Sequence, residues 1–425
     1  MNSQRLENAR ILMYSHDTFG LGHLSRCRAI ANALVETYRG LSVMIISGAT
    51  IAGAFDYRVR VDFVKVPSVI KLHNGEYQSM AAHTSLTDTL AMRRAIIRHT
   101  AESFRPDIFI TDKEPMGLHG EVEETLAYLK ARGTRLVLGL REIMDSPELL
   151  ASEWAGKEMM EKIEAYYDAI WVYGPEGFND PLAGLDVPET VRARMHYTGF
   201  LRRSRPRSEA IQPRPAEGYL LVTTGGGGDG AALVEAVLAA HEHSRATPDE
   251  AAVPRTLVVL GPYLPPRERA DFIARARTLP NVEIIEFDNR MEDLVAGARC
   301  VVAMGGYNTF CEILSFDKPA LIVPRTTPRL EQALRAERGQ EFGLVRMMPA
   351  EDITDTPRFA GALRALCDAP PPSQTVDVRM RAVLEMNGLE TVSADVGAWI
   401  FSAARPAPPP RPAQSEPAPE IRLGS

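Results

Sequence analysis

Positive charge, cysteine and long apolar runs are all in short supply in this 425-residue chain. Its 48 Lys and Arg are outnumbered by 55 Asp and Glu, for a formal charge of -7. That balance excludes a general nucleic-acid binder, which must neutralise a phosphate backbone. The four cysteines, Cys27, Cys300, Cys311 and Cys367, show no Cys-x-x-Cys spacing. They are expected as reduced core thiols of a cytoplasmic protein. No apolar run approaches the roughly 18 residues of a membrane span. The first ten residues are polar, so no secretory leader is expected. No Gly-Lys-Ser/Thr follows a glycine loop, which excludes a Walker A site. No Gly-x-Gly-x-x-Gly with a downstream acid opens either half, which speaks against a dinucleotide redox enzyme.

What the chain does have is a hydrophobic fraction of 45%, enough for full cores, and a length that suits two domains. Short apolar strands alternate with helical patterns. Strands are expected at residues 10–15, 43–46, 107–110, 135–140 and 169–173. Helices are expected at 25–37, with Ser25 as N-cap, and at 121–132 and 147–167. This alternation predicts a parallel sheet covered on both faces. The pattern breaks at 202–218, where three prolines and many charges read as an exposed linker. It then restarts, with strands at 219–223, 256–260, 282–285, 300–303 and 320–323. Helices are expected at 231–243, 266–278, 291–298 and 308–316. The fold class is therefore α/β, with two doubly wound parallel-sheet domains. The divisions are 1–204, a linker at 205–217, 218–388, a C-terminal helix at 389–403 and a Pro-rich tail at 404–425. The tail cannot bury enough surface to offset its ordering entropy and is expected to be disordered.

Three glycine-rich turns stand where a strand gives way to a helix. They are residues 19–23 (FGLGH), 223–230 (TTGGGGDG) and 304–309 (MGGYNT). Such turns let backbone N–H groups and a helix N-terminus approach anionic oxygen. In an open parallel sheet, ligands sit beyond the carboxyl ends of the strands. A phosphate-bearing ligand held between two domains is the expectation. Gly225, Gly226 and Gly227 read either as a hinge or as a backbone cradle for phosphate. Glu312 is placed on the first turn of its helix, where it either complements the dipole or accepts two ribose hydroxyls. Arg329, Glu331 and Gln332 follow the next strand and face the same cleft.

The stretch from Phe287 through Gly305-Gly306, Glu312, Lys318-Pro319 and Pro324 to Gln332 resembles the C-terminal domain of glycosyltransferase family 28. That family includes the bacterial N-acetylglucosaminyltransferase that forms lipid II. The Gly-Leu-Gly-His loop and the two-domain layout extend the resemblance over most of residues 10–402. It implies the GT-B fold, two Rossmann-like domains facing a central cleft. The N-terminal domain would take the acceptor and the C-terminal domain a nucleotide sugar, usually a UDP-sugar. Carried over, Phe287 would lie by the base and Glu312 on the ribose. Gly305, Gly306, Asn308 and Thr309 would line the diphosphate. Glu331 and Gln332 stand where the family has two glutamines on the donor sugar, so the first departs from the pattern. The loop 225–228 lacks the family's Ser and Gln, which leaves its backbone alone to act.

The resemblance implies inverting hexosyl transfer without a metal or other cofactor, since no Asp-x-Asp site lies between the domains. Main-chain amides and a helix N-terminus would stabilise the leaving diphosphate. His23, after Gly20 and Gly22, is the leading candidate for general base, because its ordinary pKa suits neutral pH. Asp17 and Asp112 are the competing carboxylates. Arg141 would either grip an acidic acceptor or pair with Glu142 or Asp145. The expected partners are a nucleotide-sugar donor and a hydroxyl acceptor, lipid-linked or glycan. The basic stretch 92–98 would suit peripheral contact with the inner membrane face. Two other readings are a GT-B sugar-nucleotide epimerase and a non-catalytic nucleotide-sugar-binding protein.

Overall fold

The computed structural model describes residues 4–16, 21–71, 77–81, 83–205, 215–226, 228–247, 249 and 251–402. Asp17, Gly20, Gly227, linker positions 206–214 and the tail from 403 onward lie outside the described residues. The first half forms a seven-stranded parallel sheet. Its strands are β1 (Gln4–Ser15), β2 (Tyr38–Ser47), β3 (Val61–Lys65), β6 (Ile108–Asp112), β7 (Arg135–Arg141), β8 (Ala169–Tyr173) and β9 (Met195–Tyr197). Their order is β3-β2-β1-β6-β7-β8-β9. A small antiparallel pair, β4 (Val69–Lys71) and β5 (Tyr77–Ser79), stands outside it. The second half forms a six-stranded parallel sheet. Its strands are β10 (Tyr219–Thr223), β11 (Thr256–Val259), β12 (Val282–Ile285), β13 (Ala298–Ala303), β14 (Ala320–Ile322) and β15 (Arg346–Met347). Their order is β12-β11-β10-β13-β14-β15. This is the GT-B architecture.

The central strands form because they are apolar without interruption. Every residue of β6, β8, β10, β11 and β14 is buried, as a sheet covered by helices on both faces requires. Between the sheets the apolar core runs on without a break. Phe178 and Phe200 from the first half meet Tyr307, Phe310 and Phe342 from the second, with ring centroids 5.5 to 6.2 Å apart. Aromatic pairs at such spacing contribute about 0.5–1.5 kcal/mol each beyond their burial. The C-terminal helix Gly388–Ser402 crosses back to the first domain. There Trp399 stacks on Trp171 at 5.5 Å, and Asp395 accepts from Trp171 Nε1 at 2.8 Å.

Several local expectations are corrected. The helix expected at 25–37 is Gly22–Thr37, so Ser25 lies inside it and does not cap it. The helix expected at 147–167 is two, Pro147–Trp154 and Met159–Tyr166. Gly156 and Glu158 adopt positive φ between them, which no continuous helix tolerates. The four free thiols are two. Cys300 on β13 is joined to Cys367, which ends the helix Thr356–Cys367. The helix packs directly on the strand, which brings residues 67 apart in sequence together. Cys27 and Cys311 remain free and buried.

Candidate functional site

Each sheet has one point where the strand order reverses. In the first, β1 lies between β2 and β6, and Ser15 stands opposite Asp112 at their carboxyl ends. In the second, β10 lies between β11 and β13, and Thr223 stands opposite Ala303. Crevices open at such points because neighbouring connections leave in opposite directions. The described residues of all three glycine-rich turns stand there. The two crevices face one another. Asn308 Nδ2 donates to the carbonyl of Gly22 at 2.9 Å, and Arg203 Nη2 donates to Asn308 Oδ1 at 2.7 Å.

On the first domain's side, His23 sits in the opening turn of its helix, whose N-terminus carries no side-chain cap. Its Nδ1 lies 2.6 Å from Asp112 Oδ2. Asp112 in turn takes two hydrogen bonds from Arg26, Nε to Oδ1 at 2.8 Å and Nη2 to Oδ2 at 2.5 Å. Burial opposes the Asp112 charge, but Arg26 and His23 outweigh it and hold the carboxyl well below the usual range. A carboxylate can only accept, so Nδ1 carries the proton and Nε2 is the basic nitrogen. Burial lowers the His23 pKa, and the Asp112 bond only partly offsets this. His16 lies edge-on to His23 at 5.7 Å and is pushed down to about 3 by burial. Of the three candidate bases, the structure thus brings His23 and Asp112 together as one unit.

On the second domain's side, Gly305 has φ +81°, and a Cβ there would meet Ile322 Cγ2 at 2.7 Å. Only glycine fits this turn. The helix Tyr307–Ser315 starts two residues later, again without a side-chain cap, and Asn308 and Thr309 are half-buried in its first turn. Glu312 is on the second turn, not the first. Its carboxyl is buried and has no hydrogen-bond partner among the described residues. Burial, then the nearby Glu292, pushes it up to about 8. Arg28 and Arg203 exert the opposing pull. Phe287 lies edge-on to Phe55 of the first domain at 6.0 Å, and Asn289 Nδ2 donates to Ala54 O at 2.8 Å. In the remaining loop, Gly226 accepts from the amide of Tyr263 at 3.0 Å, and Gly225 N lies 3.3 Å from Thr223 Oγ1.

The helix Glu331–Glu341 is tied to the first domain by charge. Arg141 pairs with Glu331 across the cleft, and with neither Glu142 nor Asp145. Burial opposes the Glu331 charge, while Arg141 and Lys113 hold its carboxyl well below the usual range. Gln332 Oε1 accepts from the amide of Arg325 at 3.2 Å. Arg329 bonds Glu153 at 2.8 and 3.0 Å and Asp145 at 3.2 Å. Arg335 Nε donates to Glu142 Oε1 at 2.5 Å, and its Nη1 reaches the carbonyl of Gly305 at 3.1 Å. Glu331 and Gln332 are thus both engaged within the protein.

The basic stretch 92–98 is less available than its sequence suggests. Arg93 is fully buried on Glu121, and Arg98 pairs with Glu102 at 2.7 Å and covers Tyr128. No described helix is long and apolar enough to cross a membrane. Among the described residues, no three His, Cys, Asp or Glu side chains gather as a metal site. Sequence reasoning missed Arg26, Arg28, Arg203 and Glu292, which surround the two candidate centres. Arg26 did leave a signal: it stands four residues before Ile30 and eight before Leu34, a cation on the helix's buried stripe.

Residues 220–356 match the model of the glycosyltransferase family 28 C-terminal domain. No curated protein matches the chain in sequence. Solved structures resemble it throughout at low identity. The calicheamicin glycosyltransferase CalG4 aligns with a TM-score of 0.59 at 17% identity, covering 94% of this chain and 100% of its own. MurG from Acinetobacter baumannii aligns at 0.52 and 12% identity, covering 93% and 99%. A protein assigned as UDP-N-acetylglucosamine 2-epimerase from Listeria monocytogenes aligns at 0.58 and 15% identity, covering 94% and 99%. Transferases and a protein assigned as an epimerase thus share this fold.

Proposed function

We propose that this glycosyltransferase family 28-like chain inverts the anomeric carbon as it moves a hexosyl group from a nucleoside diphosphate sugar, a UDP-sugar, to a hydroxyl acceptor. The observation that carries the reading is the His23–Asp112 pair at one switch point, opposite the Gly305–Gly306 turn at the other. The donor would lie on the second domain, with its diphosphate on the amides of Gly305, Gly306, Asn308 and Thr309. Glu312 would take the ribose and Phe287 would lie by the base. His23 Nε2 would remove the acceptor hydroxyl proton. That oxygen would attack the anomeric carbon as the carbon–oxygen bond to the diphosphate breaks. The expelled diphosphate carries the electron pair, which main-chain N–H groups stabilise without a metal. A single displacement of this kind inverts the configuration.

The epimerase reading keeps one observation in its favour, a protein of the same fold assigned as an epimerase. Incubating the protein with UDP-N-acetylglucosamine and no acceptor separates the two. The transferase reading expects no 2-epimer, and formation of one overturns it.

Donor capture has its own test. A panel of UDP, dTDP and GDP is expected to yield one nucleotide that raises the unfolding temperature. A ligand at 100 times its Kd adds about 2.7 kcal/mol. Glu312→Ala is expected to lose the shift and His23→Ala to retain it; equal shifts in both contradict the division of roles. The pH dependence follows from Glu312. With its pKa up at about 8, the free carboxyl is mostly protonated at pH 7, whereas the ionised form accepts a ribose hydroxyl at each oxygen. Affinity should therefore rise up to about tenfold per unit from pH 6 toward 8. Calorimetry in buffers of different ionisation heat should show a proton released on binding.

A further inference from the structure

We infer that Arg26 is a positioning residue of the transfer step: it occupies both oxygens of Asp112, so this carboxylate orients the neutral His23 ring through Nδ1–H without holding a second proton on Nε2. The inference rests on the reading of His23 as the base. Its ground is a three-member cluster. Arg26 bonds Oδ1 through Nε and Oδ2 through Nη2, while His23 Nδ1 shares that same Oδ2. The guanidinium therefore lies beside the ring as well, with Nη2 3.2 Å from Nδ1. Only a planar fork of donors meets a carboxylate at two points. Arg26 and Asp112 are 2% and 1% exposed, so water does not screen the pair.

Alone, a buried carboxylate next to an imidazole favours the imidazolium. An imidazole already protonated on both nitrogens accepts no proton from a substrate. Arg26 opposes that field while the hydrogen bond survives to orient the ring. The other charges facing His23 do not reverse the result. Lys113 also disfavours a second positive charge, although Glu114 neutralises it at 3.3 Å. His16 stays neutral through burial.

Arg26 also reaches the other domain. Its guanidinium lies 5.4 Å from the ring centroid of Tyr307 and 5.8 Å from that of Tyr173. Tyr307 is the first residue of the helix that follows Gly305 and Gly306. The group that sets the base is thus in contact with the helix proposed to hold the donor diphosphate.

The test is the titration of His23 itself, which needs no substrate. The full-length protein carries 13C-labelled histidine, and His23→Gln identifies the signal. In the wild type His23 is expected to titrate below 6.5, its ordinary value. Arg26→Gln and Arg26→Met are expected to raise the midpoint by about one unit or more, a tenfold gain in proton affinity. Arg26→Lys keeps the charge and should stay within about half a unit. An unchanged midpoint in either folded neutral variant overturns the inference. Should neither fold, a wild-type midpoint above 6.5 overturns it. Turnover is followed separately as release of nucleoside diphosphate from UDP-glucose, UDP-N-acetylglucosamine and dTDP-glucose. Full turnover in His23→Ala sinks the base reading whatever the titration shows. A fixed midpoint with turnover lost in His23→Ala sinks the Arg26 inference alone.

Discussion

With His23 replaced by alanine, the protein should bind its donor normally and transfer the sugar about 10²- to 10⁴-fold more slowly, the range a positioned general base supplies. The loss should fall on kcat. His23 stands on the first domain, and the groups proposed to hold the nucleotide stand on the second. Asp112 cannot take over, because Arg26 occupies both its oxygens and its pKa is far too low to draw a proton from a hydroxyl. Asp112→Asn should itself cost activity. An amide can donate to Nδ1, which would leave the proton on Nε2, the wrong nitrogen for a base. The pH profile follows with a definite sign. A histidine with a lowered pKa is neutral across the neutral range, so the rate at saturating donor should climb with pH below 6.5 and level off above it. Initial rates of wild type and the two variants across pH 5 to 8 check all three statements. A His23→Ala enzyme within threefold of wild type would remove this residue from the chemistry.

The long buried strands were legible from the sequence for a physical reason. A parallel strand covered on both faces is an unbroken apolar run, as Tyr219–Thr223 and Ala169–Tyr173 show. The edges were not. β9 and β15 are three and two residues long and only half-buried or exposed, so they lack any period to detect. The glycine turns were visible because strand, glycine and helix follow one another in the chain. What neutralises the charges at the site was invisible. Arg26 finds its carboxylate 86 residues away, and Arg335 finds Glu142 at a separation of 193. No local spacing encodes such pairs. Cys300 and Cys367 pose the same difficulty. The one trace is a cation on a buried helix stripe. Arg26 before Ile30 and Leu34, and Arg93 between Thr89 and Ile97, both have it. A charge in that place must have a partner, although the sequence does not say which.

The interdomain pair of Arg335 and Glu142 sets a large expected stability effect. Both side chains are fully buried, and they come from opposite domains. Arg335 also donates to the carbonyl of Gly305, so it braces the turn proposed to hold the diphosphate. Desolvating two such ions costs several kcal/mol each, and their attraction offsets that cost only while both are present. Glu142→Leu should therefore destabilise the protein by about 3–5 kcal/mol, because it strands a buried guanidinium. Arg335→Met should do the same by stranding the carboxylate. The double variant should recover much of the loss, since a well-packed apolar pair leaves no charge without a partner. Urea unfolding of the four proteins closes this cycle. If the pair merely decorated a surface, each single change would cost under about 1 kcal/mol and the two would add. Nucleotide binding supplies the link to function. The double variant should refold the core yet bind the donor more weakly than wild type, because methionine cannot donate to Gly305. Unchanged donor affinity in a stable double variant would show that the turn holds its shape without Arg335, through the positive φ of Gly305 and its packing on Ile322 alone.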